Sequence, residues 1–129
     1  MDYLPFLFIA GAVAIMAFPL YIWISSKQMQ GNDAPDYQAL LTPEQQGRSK
    51  LLFYFHSPHC GPCRTMTPII ETMAVRYGNV VKVDAMAQPG VAQRFGVRAT
   101  PTLVLVDEGK VVKVMLGTVG EKQLDLLLR

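Results

Sequence analysis

Cys60 and Cys63 stand three positions apart, and His56 and His59 lie just before them. These are the chain's only cysteines and its only histidines, and all four fall within eight residues. Two cysteines separated by Gly61-Pro62 can bring their sulfurs within bonding distance on one helical turn. If Cys60 lies at the start of a helix, the unpaired N–H groups and the helix dipole there stabilise a thiolate. Such a setting lowers a cysteine pKa from about 8.5 into the range of about 3.5–7.5. Cys60 could then attack a disulfide, and Cys63, one turn further in, could resolve the mixed disulfide. Gly61 permits a tight entry and Pro62 suits a first helical turn. Zinc is the alternative chemistry, but structural sites usually draw four ligands from two separated pairs. No second pair follows here, so no metal is expected. Haem attachment requires a histidine directly after the second cysteine, and that residue is Arg64. A purely structural bridge across so small a loop would stabilise little.

The surrounding sequence predicts the elements that must hold this pair. Leu51 to Phe55 is a short apolar run, the pattern of a buried strand. Met66, Ile69, Ile70, Met73, Ala74 and Tyr77 recur at helical spacing and predict a helix over Pro62 to Tyr77, stopped by Gly78. Val80 to Asp84 predicts a second strand and Pro89 to Phe95 a short helix. Thr102 to Val106 and Val111 to Leu116 predict strands joined by a hairpin turn at Asp107-Glu108-Gly109-Lys110. Glu121 to Arg129 closes as a helix with Leu124, Leu127 and Leu128 inward. The order predicts a mixed sheet with helices on both faces, its first two strands parallel.

The N-terminus is different. No charged residue occurs from Tyr3 to Ser26, a run of 24 residues. As a helix it would span about 36 Å, against a hydrocarbon core of about 30 Å. Tyr3, Tyr21 and Trp23 lie near its ends, where amphipathic rings favour the membrane interface. Pro5 falls in the first turn, and Pro19 lies deep enough to kink or weaken the helix. A cleavable leader would need a basic n-region, and Met1-Asp2 has no such charge. A lipoprotein anchor would need a cysteine just after the run, and none is there. The expected division is a transmembrane anchor over 1–26, a polar linker with short helical turns over 27–48, and a domain over 49–129. Tyr37, Leu40 and Leu41 are the linker residues able to dock on that domain. The net charge of +2 and the lack of any Lys/Arg run argue against a nucleic-acid partner.

With Cys60-Gly61-Pro62-Cys63 in place, the chain from about residue 50 to 129 resembles the thioredoxin family. Pro68 matches the proline that kinks that family's active-site helix. Phe95-Gly96-Val97-Arg98-Ala99-Thr100-Pro101-Thr102 resembles the segment carrying its cis-proline, which would be Pro101. Gly109 and Gly117 fall where the family has glycines. The resemblance implies a thioredoxin fold with a mixed sheet of four strands, or five with a weak edge strand. It implies a redox disulfide between Cys60 and Cys63, and substrate pairing at the backbone of Thr100 beside Pro101. Three positions depart from the family. His59 replaces the tryptophan before the first cysteine, in the expected substrate-binding set. Tyr54 stands at the buried aspartate, and His56 at another active-site tryptophan. Lys82 matches the lysine that accompanies that acid. Strand alternation puts Tyr54 and His56 on one face, so His56 is a candidate to move the Cys63 proton in place of the missing acid. The alternative is that it only packs.

The expected function is a membrane-tethered thiol–disulfide oxidoreductase without a bound cofactor. The Gly-Pro dipeptide resembles reducing members, so the expectation is a reductase of protein disulfides fed by an upstream electron donor. The competing expectation is a redox-inactive or metal-handling binding module on the same fold. Lys27, alone beside the apolar run, favours a cytoplasmic domain. The resemblance favours the periplasmic face of a bacterial inner membrane, because tethered members often work outside the cytoplasm. The expectation is periplasmic, with the cytoplasmic side as the alternative.

Overall fold

The computed structural model of the chain describes residues 2–28 and 30–129. Met1, in the expected anchor, and Met29, in the expected linker, lie outside the described residues. Helix α1 runs Leu4–Lys27. It is apolar all round, and its apolar window is not covered by the rest of the described chain. By length and composition such a helix could cross a membrane. Pro5 occupies the first turn, and the helix continues through Pro19 without breaking.

The remainder is a three-layer domain. Strand β1 (Lys50–His56) is followed by helix α2 (Gly61–Tyr77), strand β2 (Val80–Asp84) and helix α3 (Pro89–Arg94). Strands β3 (Thr102–Asp107) and β4 (Lys110–Leu116) form a hairpin, and helix α4 (Glu121–Leu128) closes the chain. The sheet has four strands in the order β2-β1-β3-β4. β1 and β2 are parallel, and the other two pairs are antiparallel. This is the mixed sheet that the order of elements predicts.

Alternation along β1 builds a core on each side. Leu52 and Tyr54 face Met66, Ile70 and Met73 of α2 and Leu124 and Leu128 of α4. Leu51, Phe53 and Phe55 face Phe95, Ala92 and the inward valines of β3 and β4. Every residue from Leu51 to Phe55 is fully buried, as expected of a central strand covered on both faces. Gly78 ends α2 in the left-handed conformation, with φ 72°. The β3–β4 turn places Glu108 and Gly109 at φ 51° and 77°. Two positive φ angles match the twist of a two-residue hairpin, although a glutamate is not the residue such a turn prefers.

Residues between α1 and β1 pack on this domain. The Tyr37 ring meets Phe53 edge-on at 5.2 Å, and Leu40 and Leu41 join the same core. Tyr37 precedes a single 3-10 turn at Gln38–Leu40. Further back, the chain lies along the outer edge of β4. Gly31 N donates to Val111 O, Val111 N to Asn32 O, and Ala34 N to Gly109 O, at 2.7–2.9 Å. Asp33 and Lys110 make an antiparallel bridge. These bonds satisfy part of an otherwise open sheet edge.

Candidate active site

The end of β1 and the start of α2 bring the two cysteines to one place. β1 stops at His56, and Ser57, Pro58 and His59 carry the chain into Cys60, the N-cap of α2. Cys60 has extended backbone angles, and its Sγ accepts the Cys63 N–H at 3.2 Å. A sulfur in that position takes one of the orphan donors that every helix start presents. Cys60 and Cys63 are joined by a disulfide, with Cα atoms 5.2 Å apart. Cys60 is 8% exposed and Cys63 3%, so Cys63 is the more buried residue. Gly61 and Pro62 form the first turn, and Pro68 lies inside α2.

A second loop closes on the first. The Thr100–Pro101 peptide is cis. Thr100 Oγ1 lies 3.4 Å from Ser57 Oγ, while Ser57 O accepts the Cys60 N–H at 3.3 Å. Ser57 thus ties the cysteine turn to the cis-proline loop. Pro101 O accepts from Gly117 N at 3.0 Å, and Thr102 Oγ1 donates to Ala99 O at 2.6 Å. These bonds fix both ends of the loop. Beside it opens a cleft of about 300 Å3 bordered by Ser57, Met86, Val97, Arg98 and Thr100.

Beneath Cys63 lies a neutral hydroxyl pair. Tyr54 Oη donates to Cys63 O at 3.3 Å and lies 3.1 Å from Thr67 Oγ1. Thr67 Oγ1 donates to the same carbonyl at 2.8 Å. Burial pushes the Tyr54 phenol above its ordinary pKa, with the Thr67 hydrogen bond pulling partly the other way. Tyr54 therefore stays protonated near neutral pH and cannot act as a carboxylate would. The half-buried His56 ring stacks on the Tyr54 ring, 5.3 Å between centroids and 22° between planes. His56 and Cys63 are thus both neighbours of Tyr54. His59 is exposed on the loop before Cys60. Lys82 is exposed and pairs with Glu71 at 3.5 Å, so it is a surface charge of β2. Among the described residues, no three His, Cys, Asp or Glu side chains converge as a metal would require.

The sequence singles out the cysteines, the histidines and the cis-proline segment. Ser57 and Thr67 were not singled out, because one hydroxyl residue carries no spacing signature. The signal for Thr67 was its place four residues after Cys63, where its hydroxyl can reach that residue's carbonyl on a helix.

Comparison with known proteins agrees with this geometry. The Thioredoxin family model matches residues 33–129. Thioredoxin 1 of Synechococcus elongatus is 36% identical over 77 residues, covering 57% of this chain and 72% of that protein. Thioredoxin of Chlamydia muridarum is 38% identical over 81 residues, covering 61% and 76%. Among solved structures, a mutant thioredoxin from Halobacterium salinarum aligns with a TM-score of 0.61 and 28% identity, over 74% of this chain and 84% of that one. A sheet ordered β2-β1-β3-β4, a cysteine pair capping α2 and a cis-proline loop tied to it thus coincide with relatives of one kind: the chain belongs to the thioredoxin family and is a thiol–disulfide oxidoreductase acting on protein disulfides.

Proposed function

We propose that this thioredoxin is a reductase of protein disulfides tethered to a membrane by α1, with Cys60 as nucleophile and Cys63 as resolving thiol. The observation that carries the assignment is Cys60 Sγ at the N-cap of α2, accepting the Cys63 N–H at 3.2 Å. In the reduced protein the same N–H and the helix dipole favour a Cys60 thiolate. That thiolate attacks one sulfur of the substrate disulfide, and the other sulfur leaves as a thiolate. The Cys63 thiolate then attacks the Cys60 sulfur of the mixed disulfide and releases the second substrate thiolate. The protein ends as the Cys60–Cys63 disulfide, and an upstream dithiol donor returns it to the dithiol with two electrons and two protons. In this proposal the substrate segment pairs with the backbone of Thr100 beside Pro101, and exposed His59 is a further substrate contact.

With Tyr54 neutral, the Cys63 proton has no buried carboxylate to accept it at this position. His56 is the proposed acceptor, through a water along the Tyr54 stack. His56→Ala then slows release from the mixed disulfide and leaves Cys60 alkylation nearly unchanged. An unchanged release rate removes the role.

The tether is supported by the charge-free run and by the uncovered apolar surface of α1. The proposed site is a bacterial inner membrane with the domain on the periplasmic side. Three measurements test the whole. The chain should float with phospholipid vesicles and resist alkaline extraction. The floated chain, supplied with dithiothreitol, should reduce insulin disulfides and lose that activity on Cys60→Ser. Thiol labelling of Cys60 in intact cells with an impermeant reagent reads the side of the membrane. Flotation without reduction would leave the binding-module alternative in its place.

A further inference from the structure

The end of α1 and the domain are joined by more than a covalent link. Lys27 Nζ donates to Val114 O, and Gln30 Oε1 accepts the Val114 N–H at 2.8 Å. Gly31, Asn32 and Ala34 continue the same line of bonds down β4. Ser25, in the last turn of α1, is only 7% exposed. A flexible tether would make none of these contacts. One turn earlier, the Arg98 guanidinium lies over the Tyr21 ring, 5.8 Å from its centroid, within the range of cation–π attraction. Arg98 is two residues from Thr100, a separation of at most about 7 Å of chain. The substrate loop and the helix therefore meet at Arg98.

The length of α1 sets where that meeting point lies. Leu4 to Tyr21 is 18 residues, which as a helix is about 27 Å, close to the hydrocarbon thickness of about 30 Å. With that stretch in lipid, Tyr21 and Trp23 lie at the interface that amphipathic rings prefer. Arg98 then lies at the headgroup level, where a guanidinium on an aromatic ring is well placed beside anionic lipid.

We propose that anchor and domain form one rigid unit whose cis-proline loop is held at the bilayer surface, so that the substrates are disulfides in membrane-proximal segments of integral or lipid-anchored proteins. This rests on α1 spanning a membrane. An extended segment emerging from the bilayer would then meet Thr100 and Pro101 directly. A disulfide far above the surface would have to approach around the domain.

The test uses the full chain in phosphatidylcholine–phosphatidylglycerol vesicles. In one variant, Cys63→Ser, a bimane label is placed on Cys60. In another, Cys60→Ser with Cys63→Ser and Val75→Cys, it is placed at position 75, which is 90% exposed and about 22 Å further along α2. A headgroup nitroxide lipid should quench the Cys60 label at least about threefold more than the label at 75. Replacing residues 28–34 with a Gly/Ser tract of about twice that length should abolish the difference. The intact chain should also reduce a disulfide peptide linked by a short spacer to a lipid headgroup about tenfold faster than the Gly/Ser variant does. Both should reduce the same peptide free in solution equally. Equal quenching at the two sites, or equal rates on the lipid-linked peptide, overturns the proposal while flotation leaves the tether standing. A chain that stays out of the floated fraction overturns the tether and this proposal together.

Discussion

Tyr54→Phe removes one oxygen from beneath Cys63 and nothing else. The ring keeps its place in the core, and the stack on His56 needs no hydroxyl. The one proton removed serves either Cys63 O at 3.3 Å or Thr67 Oγ1 at 3.1 Å, since Thr67 donates its own proton to the carbonyl, so one hydrogen bond disappears. Both distances are longer than the most common hydrogen-bond length. The carbonyl is not orphaned, because Thr67 Oγ1 still donates to it at 2.8 Å. The loss should therefore fall at the lower end of a net hydrogen bond, about 0.5–1 kcal/mol, and not at the cost of about 1–3 kcal/mol for an unsatisfied buried group. For a domain of this size that is a fall in Tm of roughly 2–8 °C. Urea unfolding of reduced and oxidised protein measures it, with an unchanged m-value as the control for an intact fold. Thr67→Val alone should cost a similar amount, since Tyr54 still reaches the carbonyl. The double variant should cost more than the sum of the two, because each hydroxyl covers for the other. A loss above about 2 kcal/mol from Tyr54→Phe alone, or strict additivity in the double variant, would refute the shared-acceptor argument. Turnover should change little, because a phenol that stays protonated supplies no base.

Glu108→Asn should raise stability by about 0.5–1 kcal/mol in urea unfolding, since Asn tolerates the positive φ that Glu108 adopts on an exposed turn. A chain beginning at Pro35 should stay folded and active but unfold about 1–3 kcal/mol more easily than one beginning at Gln28, because it lacks the three backbone bonds along β4. The Tyr77 hydroxyl, with Arg129 and Arg76, holds Asp125 below the ordinary carboxylate range. Its contribution to docking α4 on α2 is thus full above about pH 4 and is lost as pH falls through the depressed folded value. Asp125→Asn should flatten the acid limb of a Tm-against-pH curve. Tyr77 is raised by the same carboxylate, so its contribution is full below about pH 10 and is lost as pH climbs through the raised folded value.

The domain was legible wherever burial imposed a period. Leu51 to Phe55, the Met66 to Tyr77 face and the β3–β4 hairpin each carry side chains whose spacing is forced by a core. Their observed bounds fall within a residue or so of those read from the pattern. The strap along β4 was not legible. Gln30-Gly31-Asn32-Asp33-Ala34 has no strand-like pattern, and the bonds it makes on β4 are mostly backbone bonds that need no particular side chain. The cysteine pair was legible because both residues and their spacing are chemically special. Arg98 was visible only as one member of the cis-proline segment. Its meeting with Tyr21 joins residues 77 positions apart, and no local pattern encodes such a contact. Tyr54 was read as a position without its acid, but the hydroxyl pair it forms with Thr67 depends on distances that alternation does not supply.

The direct test of the central claim is a trapping experiment on the two sulfurs. Cys63→Ser should accumulate mixed disulfides with protein substrates through Cys60, resolved by dithiothreitol on a gel, because Cys60 caps α2 and is the proposed nucleophile. Cys60→Ser should trap nothing. Trapping by Cys60→Ser and none by Cys63→Ser would contradict the account, and would place the reactive thiolate at the more buried of the two positions.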